Sequence, residues 1–253
     1  MSVSVVILAA GKSSRFKSET SKLLAKVDGV PLIGWVMNTA LFFSQAPIVV
    51  LGHQKDKVLN YLSESFSNHY VVAEQVSQNG SGDAFLSSKP FWESENIIVL
   101  NGDTPFVTPQ VLAEFVKFCV DKNLEASIIS ARAENPFGYG RVIEKNGATL
   151  IIEQKALETN EESVDLINGG IYFFKKSFLQ SKLQDFILQN YKGLAEVNIT
   201  NFFNLASQCG LPVAHYEVPF FYVRGINTLE QLNEAVANIS PQIIENIFKR
   251  RVV

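Results

Sequence analysis

The stretch Leu8-Ala9-Ala10-Gly11-Lys12-Ser13-Ser14-Arg15-Phe16 decides the fold that this sequence predicts. It begins inside an apolar run from Val3 to Ala10, which is typical of a strand buried on both faces of a sheet. The turn follows directly at the carboxyl end of that strand, where open parallel sheets bind ligands. Gly11 lets the backbone approach an anion, and the basic residues of the turn, with Lys22 beyond it, supply positive charge. The stretch therefore predicts a loop that binds the phosphates of a nucleotide.

Two commoner phosphate-binding motifs do not fit this turn. The P-loop requires G-x-x-x-x-G-K-[ST] and the dinucleotide fingerprint requires G-x-G-x-x-G, whereas Ser13 and Phe16 stand where glycines are needed. These differences argue against a P-loop kinase and against a dehydrogenase. Taken alone, the turn also fits a solvated connection between a strand and a helix, so the rest of the chain has to decide between the two interpretations.

The composition excludes several classes of protein. A net charge of −3 and a pI near 5.7 argue against a broad nucleic-acid-binding surface. Cys119 and Cys209 are far apart and lack the spacing of metal ligands, which favours free thiols in a reducing compartment. The sequence has no signal-peptide pattern and no apolar run long enough to cross a membrane. We therefore expect a soluble cytoplasmic protein whose partners are small molecules rather than nucleic acid or a membrane.

Apolar runs alternate with helical periodicity through the first half, which predicts an α/β fold built from βαβ units. Four runs predict strands: Val3 to Ala10, Ile48 to Leu51, Ile97 to Asn101 and Ala126 to Ala131. An apolar stripe predicts one helix from Pro31 to Phe43. A second predicted helix is capped by Thr108 and runs from Pro109 to Lys122.

The second half predicts a more mixed sheet that forms the wall of a substrate cleft. Its expected strands cover Arg141 to Glu144, Thr149 to Glu153 and Gly170 to Phe174. A final helix is expected from Pro241 to Arg251. Because the sequence has no internal repeat and no strong linker, we expect a single domain over 1–253 with two lobes, about 1–131 and about 132–240.

A second candidate for chemistry is Asn101-Gly102-Asp103, at the end of a predicted strand. A carboxylate at this carboxyl edge would lie beside the expected phosphate loop. Mg²⁺ prefers oxygen ligands and binds through one or two carboxylates plus substrate phosphates, so Asp103 is a candidate metal ligand. Alternatively, the aspartate only initiates a turn before Pro105.

Seven motifs occur in an order that resembles a known family. They are Leu8 to Arg15 with Lys22, Gln75 with Gly80-Ser81-Gly82, Asn101-Gly102-Asp103, Gly138-Tyr139-Gly140-Arg141, Glu153, Asn168-Gly169-Gly170 and Gly225-Ile226-Asn227. The set resembles the uridylyltransferase domain of bacterial bifunctional GlmU enzymes, which are sugar-phosphate nucleotidyltransferases, over nearly the whole chain. The resemblance implies a Rossmann-like α/β fold with a mixed, mainly parallel sheet flanked by helices. It also implies that UTP and N-acetylglucosamine 1-phosphate react to UDP-N-acetylglucosamine and pyrophosphate, with Mg²⁺ as cofactor.

The same resemblance implies a role for individual positions. The residues implied in nucleotide binding are Leu8, Ala9, Ala10, Gly11, Lys22, Gln75, Gly80, Ser81 and Asp103. Those implied in binding the sugar phosphate are Gly140, Glu153, Asn168 and Thr200. Arg15 and Lys22 are implied as catalytic residues at the phosphates, and Asp103 and Asn227 as the ligands of Mg²⁺. The Gln75 carboxamide would read uracil, since it both donates and accepts hydrogen bonds, although an amide is also adaptable to cytosine.

The implied reaction needs no strong general base, because the attacking sugar phosphate is already ionised at neutral pH. His53, His69 and His215 are therefore expected to be structural or surface residues. Two alternatives remain open: a transferase for CTP, GTP or another sugar 1-phosphate, and a catalytically weak sensor of sugar nucleotides. The segment Glu196-Val197-Asn198-Ile199-Thr200 bears on both, since the resemblance leads one to expect aromatic residues at its central positions. The sequence contains no hexapeptide repeats of an acetyltransferase β-helix, and a monomer is the default expectation.

Overall fold

The computed structural model describes residues 2–12, 16, 21–53, 55–67, 69–182 and 196–248. The strands, in chain order, are β1 (Val3–Ala9), β2 (Lys26–Val27), β3 (Val30–Pro31), β4 (Ile48–Leu51), β5 (Val71–Glu74), β6 (Asn96–Asn101), β7 (Ala126–Arg132), β8 (Arg141–Lys145), β9 (Ala148–Ile152), β10 (Leu166–Lys175) and β11 (Val213–Glu217). The helices are α1 (Leu32–Ala40), α2 (Lys55–Phe66), α3 (Ser81–Ser87), α4 (Pro109–Asp121), α5 (176–182), α6 (Thr200–Gln208), α7 (Phe220–Val223), α8 (Leu229–Asn238) and α9 (Pro241–Phe248). This alternation confirms the predicted α/β class.

Nine of these strands form one sheet. Seven follow the order β11-β7-β10-β6-β1-β4-β5, and the hairpin of β8 and β9 is attached to β10. β1 is parallel to both of its neighbours, with Val6 opposite Ile48 of β4 and Val99 of β6. β10 instead runs antiparallel to β6 and β7. The sheet is therefore mixed but mainly parallel, as predicted.

The central position of β1 explains its apolar sequence. Val5 and Ile7 pack in a core with α1, α2 and α4, whereas Val6 packs in a second core with α3 and α6. Successive side chains of a strand point to opposite faces, so a strand covered by helices on both faces needs apolar residues at every position. Val5, Val6 and Ile7 are each at most 1% exposed.

Helix α4 forms within one residue of the predicted limits. The Thr108 hydroxyl oxygen accepts a hydrogen bond from the backbone N–H of Val111 at 3.3 Å, which caps the first turn. Lys122 is the C-terminal cap rather than the last helical residue. Phe115 and Cys119 on its inner face are fully buried, so their role is packing.

The other two predicted helices differ at their ends. α1 is shorter than the predicted helix Pro31–Phe43, because Pro31 is the N-terminal cap and residues 41–43 form a turn. α9 begins at Pro241 as predicted and is described to Phe248, so the predicted end at Arg251 lies outside the described residues. Among the described residues, none of the helices is long and apolar enough to cross a membrane.

The second half contains the three predicted strands, with different limits. β8 extends one residue further, β9 is shifted by one residue toward the N-terminus, and β10 is twice as long as the predicted Gly170–Phe174. β10 lies inside the main sheet, between β6 and β7. The sequence does not predict β5 and β11, because these short edge strands are only partly buried and neither contains more than three consecutive apolar residues.

Candidate active site

A cleft of about 450 Å³ opens at the carboxyl edge of the parallel strands. The loops that follow β1, β5 and β6 contribute to its wall, together with the short 3₁₀ turn Lys22–Leu24 and the loop that carries Asn227. All nine residues predicted to bind a nucleotide line it: Leu8, Ala9, Ala10, Gly11, Lys22, Gln75, Gly80, Ser81 and Asp103. The parallel topology explains this convergence, since the ends of neighbouring parallel strands meet at one edge of the sheet.

The loop after β1 has a fixed base, and its described residue Gly11 borders open space. The Ala10 carbonyl accepts a hydrogen bond from the backbone N–H of His53 at 3.2 Å. A Cβ added at Gly11, by contrast, would meet no heavy atom of the described residues within 4 Å. Lys12 is exposed and also lines the cleft, whereas the predicted catalytic residue Arg15 lies outside the described residues. Space for a ligand thus lies next to a glycine backbone and a cation.

Lys22 connects the two residues predicted to bind a metal ion. Its ammonium forms an ion pair with Asp103 and donates a hydrogen bond to Oδ1 of Asn227 at 2.9 Å. Lys22 is only 8% exposed, so this contact is largely shielded from solvent. The backbone N–H of Ile226 also donates to the Asp103 carbonyl at 2.9 Å, which ties the loop of Asn227 to the end of β6. Two distant segments are therefore joined through one lysine.

The oxygens of Asp103 and Asn227 fit a magnesium ion in chemistry, and they converge on one point. Both contact the same Nζ atom, which is itself a cation. Carboxylate and amide oxygens are hard ligands of the kind that Mg²⁺ prefers. In the part of the chain that the structure describes, no group of three or more His, Cys, Asp or Glu residues could hold a metal. A magnesium ion here would thus depend on phosphate and water oxygens for most of its coordination.

Gln75 follows β5 and is held in one orientation. Its Nε2 donates to the Gly80 carbonyl at 3.0 Å and to Oδ2 of Asp83 at 2.8 Å. The side chain is buried, with the residue only 6% exposed, and it lines the cleft. The positive φ of Gly80, +102°, lets the loop turn back so that its carbonyl reaches this amide.

The 196–199 segment packs against the loop that contains Gly80. The Val197 carbonyl accepts from the backbone N–H of Gly82 at 2.8 Å, and the Val197 N–H donates to Asn79 at 2.7 Å. The Ile199 N–H donates to the Ser81 hydroxyl at 3.0 Å. Val197 is 1% exposed and belongs to the core, so this position of the segment faces packed side chains rather than a ligand. At position 197, packing in the core therefore explains why valine stands where the resemblance predicts an aromatic residue.

The four residues predicted to bind the sugar phosphate also come together, next to the same segment. The Thr200 hydroxyl donates to Oε1 of Glu153 at 2.8 Å, and a Cβ added at Gly140 would lie 3.6 Å from the other oxygen of that carboxylate. The backbone N–H of Asn168 donates to the Gly140 carbonyl at 2.9 Å. These residues do not line the cleft described above. They form a second polar cluster, whose members are already bonded to each other.

Asn168 is the member of this cluster most engaged by the protein. Its Nδ2 donates to the Tyr172 hydroxyl at 2.7 Å, and its Oδ1 accepts from the Gly170 N–H at 3.1 Å. Complete burial raises the pKa of Tyr172, so this phenol stays neutral and can accept the bond. The pairing of β10 with β7 shifts register between Asn168 and Tyr172. The amide therefore stabilises a bulge as well as facing the cluster.

Arg141 supports the loop that precedes this cluster. Its guanidinium donates to the Tyr139 carbonyl and to Oε1 of Gln154, the second at 3.2 Å, and the same Gln154 oxygen accepts from the Gly138 N–H at 2.9 Å. Arg141 is 2% exposed, and burial lowers its pKa. Its role in the predicted motif is thus to hold the turn that presents Gly140.

The cleft also contains residues to which the sequence assigns no role. Gln78 and Glu196 line it, and Asp83 accepts a hydrogen bond from the Gln75 side chain. Each lies within five residues of a predicted position, so proximity to a motif was the available signal. None of the three histidines, all of which the structure describes, lines the cleft. His215, for example, bonds to the Ser130 hydroxyl at 2.8 Å between β11 and β7.

Comparison with protein families gives a match over most of the chain. Residues 5–196 match the model of the MobA-like NTP transferase domain. The bifunctional protein GlmU of a Nitratiruptor species is 33% identical over 255 residues, which is all of this chain and 57% of that protein. The bifunctional protein GlmU of Clostridioides difficile (strain 630) is 30% identical over 256 residues, again all of this chain and 53% of that protein. The chain thus spans about half the length of these curated relatives.

Comparison with solved structures supports the fold. A putative glucose-1-phosphate thymidylyltransferase from Bacillus anthracis superposes with a TM-score of 0.74, covering 96% of this chain and 99% of that one. The sequence identity is 19%, so this similarity concerns the architecture alone. It places the sheet and its flanking helices in the nucleotide-diphospho-sugar transferase fold.

Proposed function

Since this chain belongs to the MobA-like NTP transferase domain family and is a nucleotidyltransferase, we propose that it transfers the uridylyl group of UTP to a sugar 1-phosphate. The proposed acceptor is N-acetylglucosamine 1-phosphate, and the products are UDP-N-acetylglucosamine and pyrophosphate. The observation that carries the proposal is the convergence of Lys22, Asp103 and Asn227 in a cleft that also contains Gln75. Such a cleft offers a positive charge to the phosphates of a nucleotide and an amide to its base.

The phosphates are assigned to the loop after β1. Open space next to Gly11 admits an anion, and backbone N–H groups of a glycine-containing turn suit phosphate oxygens. Lys22 and Arg15 stabilise the negative charge that develops on the α-phosphate in this proposal. A magnesium ion bound by Asp103 and Asn227 would neutralise triphosphate oxygens.

The reaction is an in-line displacement at the α-phosphorus. An oxygen of the sugar 1-phosphate forms the new bond to phosphorus, while the bond to the pyrophosphate oxygen breaks on the opposite side. The attacking oxygen is already ionised at neutral pH, so no residue has to remove a proton. The protein contributes placement and charge stabilisation, which matches a cleft whose described lining holds lysine and polar groups and no histidine.

The base and the sugar are assigned to two separate sets of residues. Gln75 and the backbone of Gly80 and Ser81 would contact uracil, since they lie together on the cleft wall. The cluster of Glu153 and Thr200 offers a carboxylate and a hydroxyl to sugar hydroxyls. The 196–199 segment leads from one group to the other, because its backbone bonds to Asn79 and Gly82 and it runs directly into Thr200.

A panel of substrates tests this proposal. Pyrophosphate release is measured in the presence of Mg²⁺ from UTP, CTP, GTP and ATP, each with N-acetylglucosamine 1-phosphate and with glucose 1-phosphate. We expect release with UTP and N-acetylglucosamine 1-phosphate. Release with UTP and glucose 1-phosphate alone would correct the acceptor, and selective release with another nucleotide would correct the base. Tight binding of UDP-sugars without release from any pair would instead favour a sensor of sugar nucleotides.

A further inference from the structure

We propose that Asp83 is a positioning residue that fixes the orientation of Gln75 and thereby sets the preference for uracil over cytosine. This inference rests on the proposed function, in which Gln75 contacts the base. Asp83 lies in the first turn of α3, and its Oδ2 accepts a hydrogen bond from Nε2 of Gln75 at 2.8 Å. None of the seven motifs in the sequence includes this aspartate.

The two hydrogen-bond partners of the Gln75 side chain determine where its amide nitrogen and its amide oxygen lie. The Gly80 carbonyl and the Asp83 carboxylate are both acceptors, so each requires an N–H group. Rotating the amide by 180° would place Oε1 against two acceptors and lose both hydrogen bonds. Because Gln75 is only 6% exposed, water would compensate little for that loss. The observed orientation is therefore strongly preferred.

This orientation determines what Gln75 offers to a base. An amide nitrogen has two hydrogens, and Gly80 and Asp83 together use both. The carbonyl oxygen Oε1 is left for a ligand in the cleft that Gln75 lines. Gln75 accordingly acts as an acceptor, although a free glutamine would offer either group.

The proposal places ring nitrogen N3 of the base opposite this acceptor, and the pyrimidine bases differ at that atom. Uracil carries a hydrogen on ring nitrogen N3, whereas N3 of cytosine is a lone-pair acceptor. A fixed Oε1 makes a hydrogen bond with the first and a repulsive contact with the second. Thymine has the same N3–H group as uracil, so this contact does not discriminate against it. The inference therefore concerns uracil or thymine against cytosine.

Three variants separate this role from a merely structural one. Asp83→Leu removes the charged acceptor while keeping the branched shape of the side chain, so only the Gly80 carbonyl still orders the Gln75 amide and the preference for the observed orientation weakens. Asp83→Asn keeps an acceptor oxygen, so both contacts that order Gln75 remain. Asp56→Asn removes a first-turn carboxylate from α2 and is the matched control for effects on helix stability, since Asp56 does not line the cleft.

The experiment is calorimetric titration of the full chain with UTP and with CTP, each in the presence of Mg²⁺ and without a sugar phosphate. We expect the wild type to bind UTP at least about tenfold more tightly than CTP, since one well-placed polar contact discriminates to that extent. The ratio should fall to about threefold or less in Asp83→Leu and remain near the wild-type value in Asp83→Asn and Asp56→Asn. If Asp83→Leu does not fold, Asp83→Ala replaces it, because alanine suits the helix.

Two results would overturn the inference in distinguishable ways. An unchanged preference for UTP in the folded Asp83 variant would reject the role of Asp83 and leave the proposed function standing. A wild type that does not prefer UTP would reject both the inference and the uridylyl specificity of the proposed function.

Discussion

Lys22 is buried between two residues that the proposed reaction needs for a metal ion. Its ammonium contacts both Asp103 and Asn227, so it neutralises the carboxylate in the absence of another cation. A divalent ion that uses the same oxygens has to displace the ammonium. Because triphosphate oxygens offer Lys22 alternative partners, nucleotide and metal should bind together more readily than the metal alone.

The first prediction concerns Lys22→Ala. Removing the ammonium should strengthen binding of Mn²⁺, used as a probe for Mg²⁺, to the free protein by about tenfold, the equivalent of ~1.4 kcal/mol. The same variant should lose turnover by about 10²-fold or more, since a positive charge at the phosphates is lost. Electron paramagnetic resonance of free Mn²⁺ measures the first effect. Lys26→Ala, an exposed neighbour, is the control, and unchanged Mn²⁺ affinity in Lys22→Ala would contradict the competition.

The second prediction concerns Asp103→Asn. Asparagine keeps an oxygen near Lys22 but lacks the charge that attracts a metal ion. The chain should still fold, with a loss of stability because the buried ammonium loses its counter-charge. We expect Mg²⁺-dependent turnover to fall by about 10²-fold or more. The control is Asp121→Asn, which changes an exposed aspartate of α4 outside the cleft. Turnover like that of the wild type in Asp103→Asn would remove this residue from the metal site.

The location of single residues in the cleft was predictable where a motif marks them, but a residue defined only by a tertiary contact was not predictable. Lys22, Gln75 and Asp103 are recognisable because each belongs to one of the motifs, and Gln75 and Asp103 also follow the ends of strands. The bond between Lys22 and Asn227 joins positions 205 residues apart, and no local pattern records such a contact. Asp83 was missed for a similar reason, since its role depends on which end of the Gln75 amide faces it.

At the scale of elements, the contact between the Gly80 loop and the 196–199 segment shapes the wall of the cleft. Gly80 has a φ of +102°, and a Cβ at this position would overlap the Val197 carbonyl. The third prediction is therefore that Gly80→Ala destabilises the protein by about 2–3 kcal/mol, because strain and a steric clash add. Chemical denaturation measures the loss.

The hairpin turn between β8 and β9 supplies a matched control for this variant. Gly147 has a φ of +76°, and a Cβ there would meet none of the described residues within 4 Å. Gly147→Ala therefore tests backbone strain without the clash and should cost only about 1 kcal/mol. Equal losses of unfolding free energy in the two variants would mean that the 196–199 segment shifts to accommodate the added methyl group at little cost. Gly80→Ala should also weaken UTP binding, whereas Gly147→Ala should not.

Strands were predictable from the sequence where both of their faces are buried, and helices were predictable where a capping residue marks their start. β1 and β6 are buried on both faces and therefore appear as apolar runs, and α4 is marked by Thr108 and Pro109. β5 and β11 lie at the edges of the sheet, and apolar and polar residues alternate less clearly along them. Their pairing with β4 and β7, which the sequence does not encode locally, is what stabilises them as strands.

At the scale of the whole molecule, the antiparallel strand β10 brings the polar cluster around Asn168 to the edge of the sheet where the cleft lies. β10 is antiparallel to β6, so its beginning lies at the edge where β6 ends. Gly170, with a φ of +73°, approaches the Asn101 side chain so closely that a Cβ would overlap it. Asn168 thereby reaches the same edge as Asp103. The sequence predicts a strand here but not its direction, because periodicity carries no information about which way a strand runs.

The last prediction uses the two thiols as reporters of the whole fold. Cys119 is fully buried on the inner face of α4, and burial raises the pKa of its thiol to about 12, whereas Cys209 is exposed. A raised pKa disfavours the reactive thiolate, so at pH 8 only about 10⁻⁴ of Cys119 is ionised in the folded protein. A thiol-reactive disulfide reagent should therefore modify one cysteine rapidly in the native protein and both in denaturant. In Cys209→Ser the rapid phase should disappear, and the remaining slow phase should follow global unfolding as urea is added. Rapid modification of two thiols in the native wild type would show that the core opens around Cys119 without unfolding the sheet.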